Sequence, residues 1–78
     1  VNELPTLDTL PVGGRGKVAR ITAPGPIRQR LLTMGITPGT TLTVRGIAPL
    51  GDPIDVEVRG YDLSLRREEA KYVFVEVI

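Results

Sequence analysis

Most of the side chains that carry protein chemistry are missing from this sequence. It has no histidine and no cysteine. Zinc, copper and iron–sulfur centres draw on imidazole and thiolate ligands, and a nucleophile needs a base that is usually imidazole. The single serine, Ser64, sits in an alternating stretch and reads as a surface or turn residue. Four carboxylates, Asp52, Asp55, Glu57 and Asp62, are close enough in sequence to suggest oxygen ligands for a hard cation. However, Asp55 and Glu57 are two apart on a strand pattern, so both face outward and read as a solvated strand face. Gly13, Gly14 and Gly16 would suit a phosphate loop, but no strand precedes them, no helix follows and Gly-Lys-Ser/Thr is absent. Tyr61, Tyr72 and Phe74 are too few to line a proline-peptide groove or a base-stacking platform. The expectation is a binding domain without catalytic residues, resident metal or cofactor.

The remaining chemistry is charge. Net charge is only +1, but the distribution is uneven. Residues 9–48 contain Arg15, Lys17, Arg20, Arg28, Arg30 and Arg45 and no acid, whereas residues 49–78 hold seven acids against four bases. Two readings stand. Interleaved strands average the asymmetry out in space, or the molecule keeps a basic face that steers an acidic partner.

A chain of 78 residues makes one domain near the lower size limit for an unstapled core. An apolar content of 41% is ordinary for a folded chain. No apolar run approaches the roughly 20 residues of a bilayer span. The first residues lack the basic and apolar regions of a signal peptide, so a cytoplasmic protein is expected. Residues 1–8 are expected to be loosely ordered, with the domain covering 9–78.

Nine glycines and seven prolines separate short β-branched runs of period two, which point to a small, mainly β barrel or sandwich. Strands are expected at Lys17–Thr22, Thr41–Ala48, Ile54–Arg59, near Tyr61–Leu65 and at Tyr72–Ile78, with Tyr61 packed inside. Gly46 marks a bulge or bend. Ile27, Leu31 and Met34 recur at helical spacing with Pro26 in the first turn. Gly35 suits the left-handed position after that helix, with Ile36 folding back on Leu31. Thr37-Pro38-Gly39-Thr40 has the central residues of a type II turn. One further helical turn is expected at Arg67–Lys71. A partly open barrel of roughly five strands with one inserted helix limits unpaired edges in so small a sheet.

The run Arg30-Leu31-Leu32-Thr33-Met34-Gly35-Ile36-Thr37-Pro38-Gly39 resembles the signature of the FeoA family. It continues with Ala48-Pro49-Leu50-Gly51-Asp52-Pro53-Ile54, then Val58-Arg59-Gly60-Tyr61 and Leu63-Ser64-Leu65-Arg66. The lead Leu10-Pro11-Val12-Gly13 also fits, so the resemblance spans residues 9–77. It implies an SH3-like barrel with an inserted helix. It also implies an accessory role beside FeoB, a membrane ferrous iron transporter with a cytosolic GTP-binding domain. The same fold occurs at the C-terminus of DtxR-like repressors, whose DNA-binding segment is not present in this chain.

Leu31, Met34, Gly35, Pro38 and Gly39 have packing or backbone duties. The candidates for partner contact are therefore groups without such duties: Arg28 and Arg30 on the helix, Leu50 and Asp52 in the loop after the second expected strand, and Arg66. The first functional expectation is a module that binds the cytosolic part of a FeoB-type transporter, touching the membrane only through it. Self-association through an edge strand is a second possibility. The alternatives are a carboxylate metal sensor and a nucleic-acid-binding barrel using the basic half, although nucleic acid is not expected as a partner.

Overall fold

The computed structural model describes residues 4–78. Along the chain come a 3₁₀ turn (Leu7–Thr9), β1 (Arg15–Ile21), α1 (Gly25–Thr33), β2 (Thr41–Ile47), β3 (Ile54–Val58), β4 (Tyr61–Leu65), α2 (Arg67–Ala70) and β5 (Val73–Val77). The strands form one antiparallel sheet in the order β4-β3-β2-β1-β5.

Alternation along each strand sends one set of β-branched and leucine side chains inward. Val18 and Ile21 of β1, Leu42 and Val44 of β2, Ile54, Val56 and Val58 of β3, Leu65 of β4, and Val73 and Val75 of β5 share one buried cluster with Leu31 and Ile36. Strands from both edges reach the same cluster, so the sheet is coiled around it. β4 and β5 do not pair with each other, which leaves the barrel partly open, as the sequence suggests. The register shifts at two places, between Val18 and Arg20 and between Val44 and Gly46, and such bulges bend a strand and increase its local twist. The second is the irregularity expected at Gly46.

Helix α1 closes one side of this core. Leu31 is its fully buried residue. Gly35 has φ +92°, the Gly35 N–H donates to the Leu32 carbonyl and the Ile36 N–H to the Leu31 carbonyl, each at 3.0 Å. These are the two bonds of a Schellman cap, and Ile36 joins Leu31 in the core. The following turn closes with a 3.0 Å bond from the Thr40 N–H to the Thr37 carbonyl. The β3–β4 hairpin turns on Arg59 and Gly60, with φ +53° and +85°. Positive φ at both central residues defines a type I′ turn, whose twist matches that of the strands. From that turn the Arg59 guanidinium reaches Thr40 Oγ1 at 3.1 Å, where the Thr40 and Thr37 hydroxyls lie 2.8 Å apart.

Two expectations need correction. Residues 5–8 are docked, not loose: the Val75 N–H donates to the Pro5 carbonyl at 3.0 Å, Thr6 bridges Phe74, and Leu7 is fully buried. An apolar residue ahead of the first strand thus supplies part of the core, which a domain this small needs. The part of that expectation falling on residues 1–3 lies outside the described residues. Tyr61 does not pack inside. It is 72% exposed, because it sits at the hairpin end of edge strand β4, beyond the cover of the core. The outward aromatics of β5 and of the residue before it are also accounted for: Arg20 lies over the Phe74 ring at 4.5 Å and Lys71 over Tyr72 at 5.3 Å. Such pairs cover an aromatic face while leaving the charge in water.

Folding groups the charged strands and joins the basic and acidic halves of the chain through the Arg30–Glu69 and Arg45–Glu57 pairs, at 2.8 and 3.5 Å. β1 and β2, with Arg15, Lys17, Arg20 and Arg45, are neighbours, as are β3 and β4, with Asp55, Glu57 and Asp62. Only β5 interleaves, placing Glu76 opposite Lys17.

The cap makes a direct prediction. Gly35→Val puts a β-branched residue at positive φ and should lower stability by about 1–3 kcal/mol in urea denaturation. A loss below about 0.5 kcal/mol, typical of a neutral surface change, would contradict the assigned backbone conformation.

Candidate functional site

α2 is short, and its position is set by polar contacts at its start. The Glu69 N–H donates to the Arg66 carbonyl at 2.9 Å, and Glu69 Oε1 accepts the Arg66 N–H at 3.1 Å. Glu69 thereby performs the carboxylate half of a capping box. Its other oxygen, Oε2, lies 2.8 Å from Arg30 Nε. The Glu69 side chain is only 10% exposed and that of Arg30 59%. The pair joins α1 to α2 with the acid inside and the guanidinium at the surface.

Arg67, the next residue, ties α2 to two other segments. Its Nε donates to the Gly51 carbonyl at 2.8 Å and one terminal nitrogen to the Asp8 carbonyl at 2.9 Å. Its backbone N–H donates to Asp52 Oδ1 at 2.9 Å. A planar guanidinium bonding in two directions holds both carbonyls in fixed relation. The loop it braces, residues 48–53, is also closed on itself: Gly51 N–H to the Ala48 carbonyl at 2.7 Å and Ala48 N–H to the Pro53 carbonyl at 3.0 Å. At the tip of this loop Leu50 is 97% exposed. A large apolar side chain fully in water on a braced loop is an uncommon arrangement, and loops held by a rigid scaffold are where binding residues concentrate.

Four of the five residues singled out from sequence therefore belong to one connected corner. Arg30 reaches it through Glu69, Arg66 starts α2 and is exposed, Asp52 caps Arg67, and Leu50 stands on the loop that Arg67 holds. Arg28 is separate. Its guanidinium donates to the Ile21 carbonyl at 2.8 Å, and two residues along a helix turn it roughly 200° away from Arg30. Sequence reasoning missed Arg67 and Glu69. The available signal was Glu69 three residues after Arg66 at the start of a helical turn, the spacing of a capping box.

The corner offers an apolar tip and exposed guanidinium groups. It can recognise a complementary surface. Among the described residues, no three ligand side chains approach closely enough to hold a metal ion, and no helix is long and apolar enough to cross a membrane.

The FeoA domain family model matches residues 6–77. The chain belongs to the FeoA family. A fusion of Fe(2+) transport protein A with the Fe(2+) transporter FeoB from Porphyromonas gingivalis is 40% identical over 72 residues, covering 92% of this chain and 8% of that protein. Among solved structures, a FeoA-like protein from Clostridium acetobutylicum superposes with a TM-score of 0.91 at 38% identity, covering 100% of this chain and 91% of the other. Stenotrophomonas maltophilia FeoA, solved in complex with zinc and described as a prokaryotic SH3 domain protein, gives 0.78 at 31% identity, covering 91% and 88%. This FeoA domain is thus a mainly β, SH3-like fold, and its family is associated with ferrous iron transport.

The bracing of the loop can be measured. Arg67→Ala should cost about 1.5–3 kcal/mol, the scale of lost hydrogen bonds from a charged donor, and should raise amide exchange chiefly in residues 48–53. Equal acceleration across the whole sheet would mean that Arg67 supports the fold generally, not the loop. Glu69→Ala removes both the cap and the tie to Arg30. It should cost about 1 kcal/mol or more in denaturant titrations; no loss would show that α2 is positioned by packing alone.

Proposed function

We propose that this FeoA domain is a non-catalytic cytosolic module that binds the cytosolic part of a FeoB-type ferrous iron transporter and adjusts its assembly or activity. The corner of Leu50, Arg66, Arg30 and Asp52 is the contact surface. The observation that carries the site is Leu50, which is 97% exposed on a loop fastened by Arg67. An ordered apolar tip loses little freedom on binding, which favours a role as an anchor entering a partner's pocket. The choice of partner is supported by the fused relative, in which the two units share one polypeptide. Fusion holds two modules at high effective concentration, an arrangement suited to modules that work in contact.

The rival readings have less to support them. A carboxylate metal sensor would draw on Asp52, Asp55, Glu57 and Asp62, of which Glu57 lies 3.5 Å from Arg45. Asp52 is engaged by the Arg67 N–H, and Asp55 accepts from the Ser64 hydroxyl at 2.7 Å. A nucleic-acid reader would need aromatic faces beside the basic strands, and Arg20 already covers Phe74.

The test is a binding titration against the isolated cytosolic domain of a FeoB-type transporter, with and without GTP. Saturable binding is expected, weakened more than tenfold by Leu50→Ala with Arg66→Ala and less than twofold by Arg28→Ala. Binding that survives the first pair unchanged sinks the site while leaving the partner standing. Absence of binding in both nucleotide states sinks the partner.

A further inference from the structure

The two edges of the sheet are treated differently. The β5 edge is covered, since Thr6 bridges Phe74 and Val75 donates to Pro5. Among the described residues the β4 edge is not, since β4 pairs there with β3 alone. Because the hairpin closes on two residues with Val58 opposite Tyr61, the hydrogen-bonded pairs of β3–β4 are those of Tyr61, Leu63 and Leu65. The backbone N–H and C=O groups of Asp62 and Ser64 consequently point away from the sheet, and both residues are exposed. Unpaired edges of this kind pair readily with another strand.

We propose that β4 pairs antiparallel with β4 of a second copy of this chain, about a two-fold axis through Leu63. The strand's own sequence argues for this occupant. In that register the outward-pointing groups of Asp62 meet those of Ser64 in the second copy, and the reverse holds by symmetry. Each Asp62 then stands opposite the small Ser64 of the second copy, whose hydroxyl proton goes to Asp55 of its own chain at 2.7 Å. No like charges stand opposite each other. The diagonal neighbours of Asp62 are Asp62 of the second copy and Arg66 of the second copy, whose long side chain can reach both carboxylates. On the inner face Leu63 meets its own symmetry mate, and Tyr61, 72% exposed in the single copy, comes opposite Leu65 of the second copy. Centring the axis on Asp62 instead would set that carboxylate against itself. The contact is one short strand per copy, so association is weak and concentration-dependent.

The experiment needs no transporter, so its outcome is independent of the proposed function. The chain has no cysteine, so Leu63→Cys introduces the single thiol. At a non-hydrogen-bonded pair on the axis the two Cα atoms lie about 4.5 Å apart, inside the roughly 4.4–6.8 Å range of disulfides. Under diamide, Leu63→Cys should form covalent dimer at least tenfold faster than Leu50→Cys, whose loop thiol meets another only by collision. Equal or slower cross-linking overturns the proposal. Leu63 is partly buried, so sedimentation of the unaltered chain over a concentration series provides a second reading. The weight-average mass should rise towards the dimer for the natural sequence. It should stay monomeric for Ser64→Pro, which removes an outward N–H and leaves the β3–β4 ladder intact. A natural sequence that stays monomeric throughout, as it would if the edge serves a strand of some other protein, also overturns it.

Discussion

The guanidinium of Arg67 is the contact on which the surface features of this domain depend. It bonds to the Gly51 carbonyl and the Asp8 carbonyl, joining a loop, the 3₁₀ turn and the start of α2. A small sheet without disulfides has few means of immobilising its loops, because packing alone does not reach a segment that turns away from the core. A side chain with several donors in one plane can do so from a distance. With that tie in place the exposed Leu50 belongs to a defined surface instead of a mobile one. The Arg30–Glu69 pair extends the same framework to α1, so the corner moves as part of the body of the domain.

Much of the fold was legible because it rests on local rules. The spacing of Ile27, Leu31 and Met34 marked the helix, Gly35 marked its end, and the alternation from Ile54 to Val58 marked an inward and an outward face. Each of these is set by neighbours along the chain. What escaped was set by distant ones. Leu7 looked like part of a loose leader because nothing nearby signals that a single leucine docks against β5 and α2. Tyr61 looked internal because alternation says which side a residue faces, not whether the sheet continues far enough to cover it.

The same distinction divides the site. Leu50, Arg30, Asp52 and Arg66 stood out as exposed groups without evident packing duties, and the fold gathers them. Arg28 met the same criterion, yet its partner is the carbonyl ending β1, an acceptor that carries no residue-type signal. Arg67 was missed for the same reason. Two of its acceptors are backbone carbonyls, and sequence patterns report on side chains far better than on where a distant carbonyl points. The spatial grouping of charge was open from sequence for a related reason, since it depends on strand order. Once β1 lies beside β2 and β3 beside β4, basic and acidic strands are grouped, and the groups meet where Arg45 of β2 lies 3.5 Å from Glu57 of β3.

That strand order also bears on how the molecule forms. β1 is completed on one side by β5, through pairs such as Gly16 with Val77, which lie near opposite ends of the chain. Contacts of such long range must wait for a large loop to close, and topologies built on them fold slowly. On the ribosome β1 emerges early and cannot find that neighbour until almost the whole domain has been made. The β2–β3–β4 meander, joined by short connections, can assemble in the interval. In this order of events β5 is the closing strand, and cooperativity across the domain begins only when it arrives.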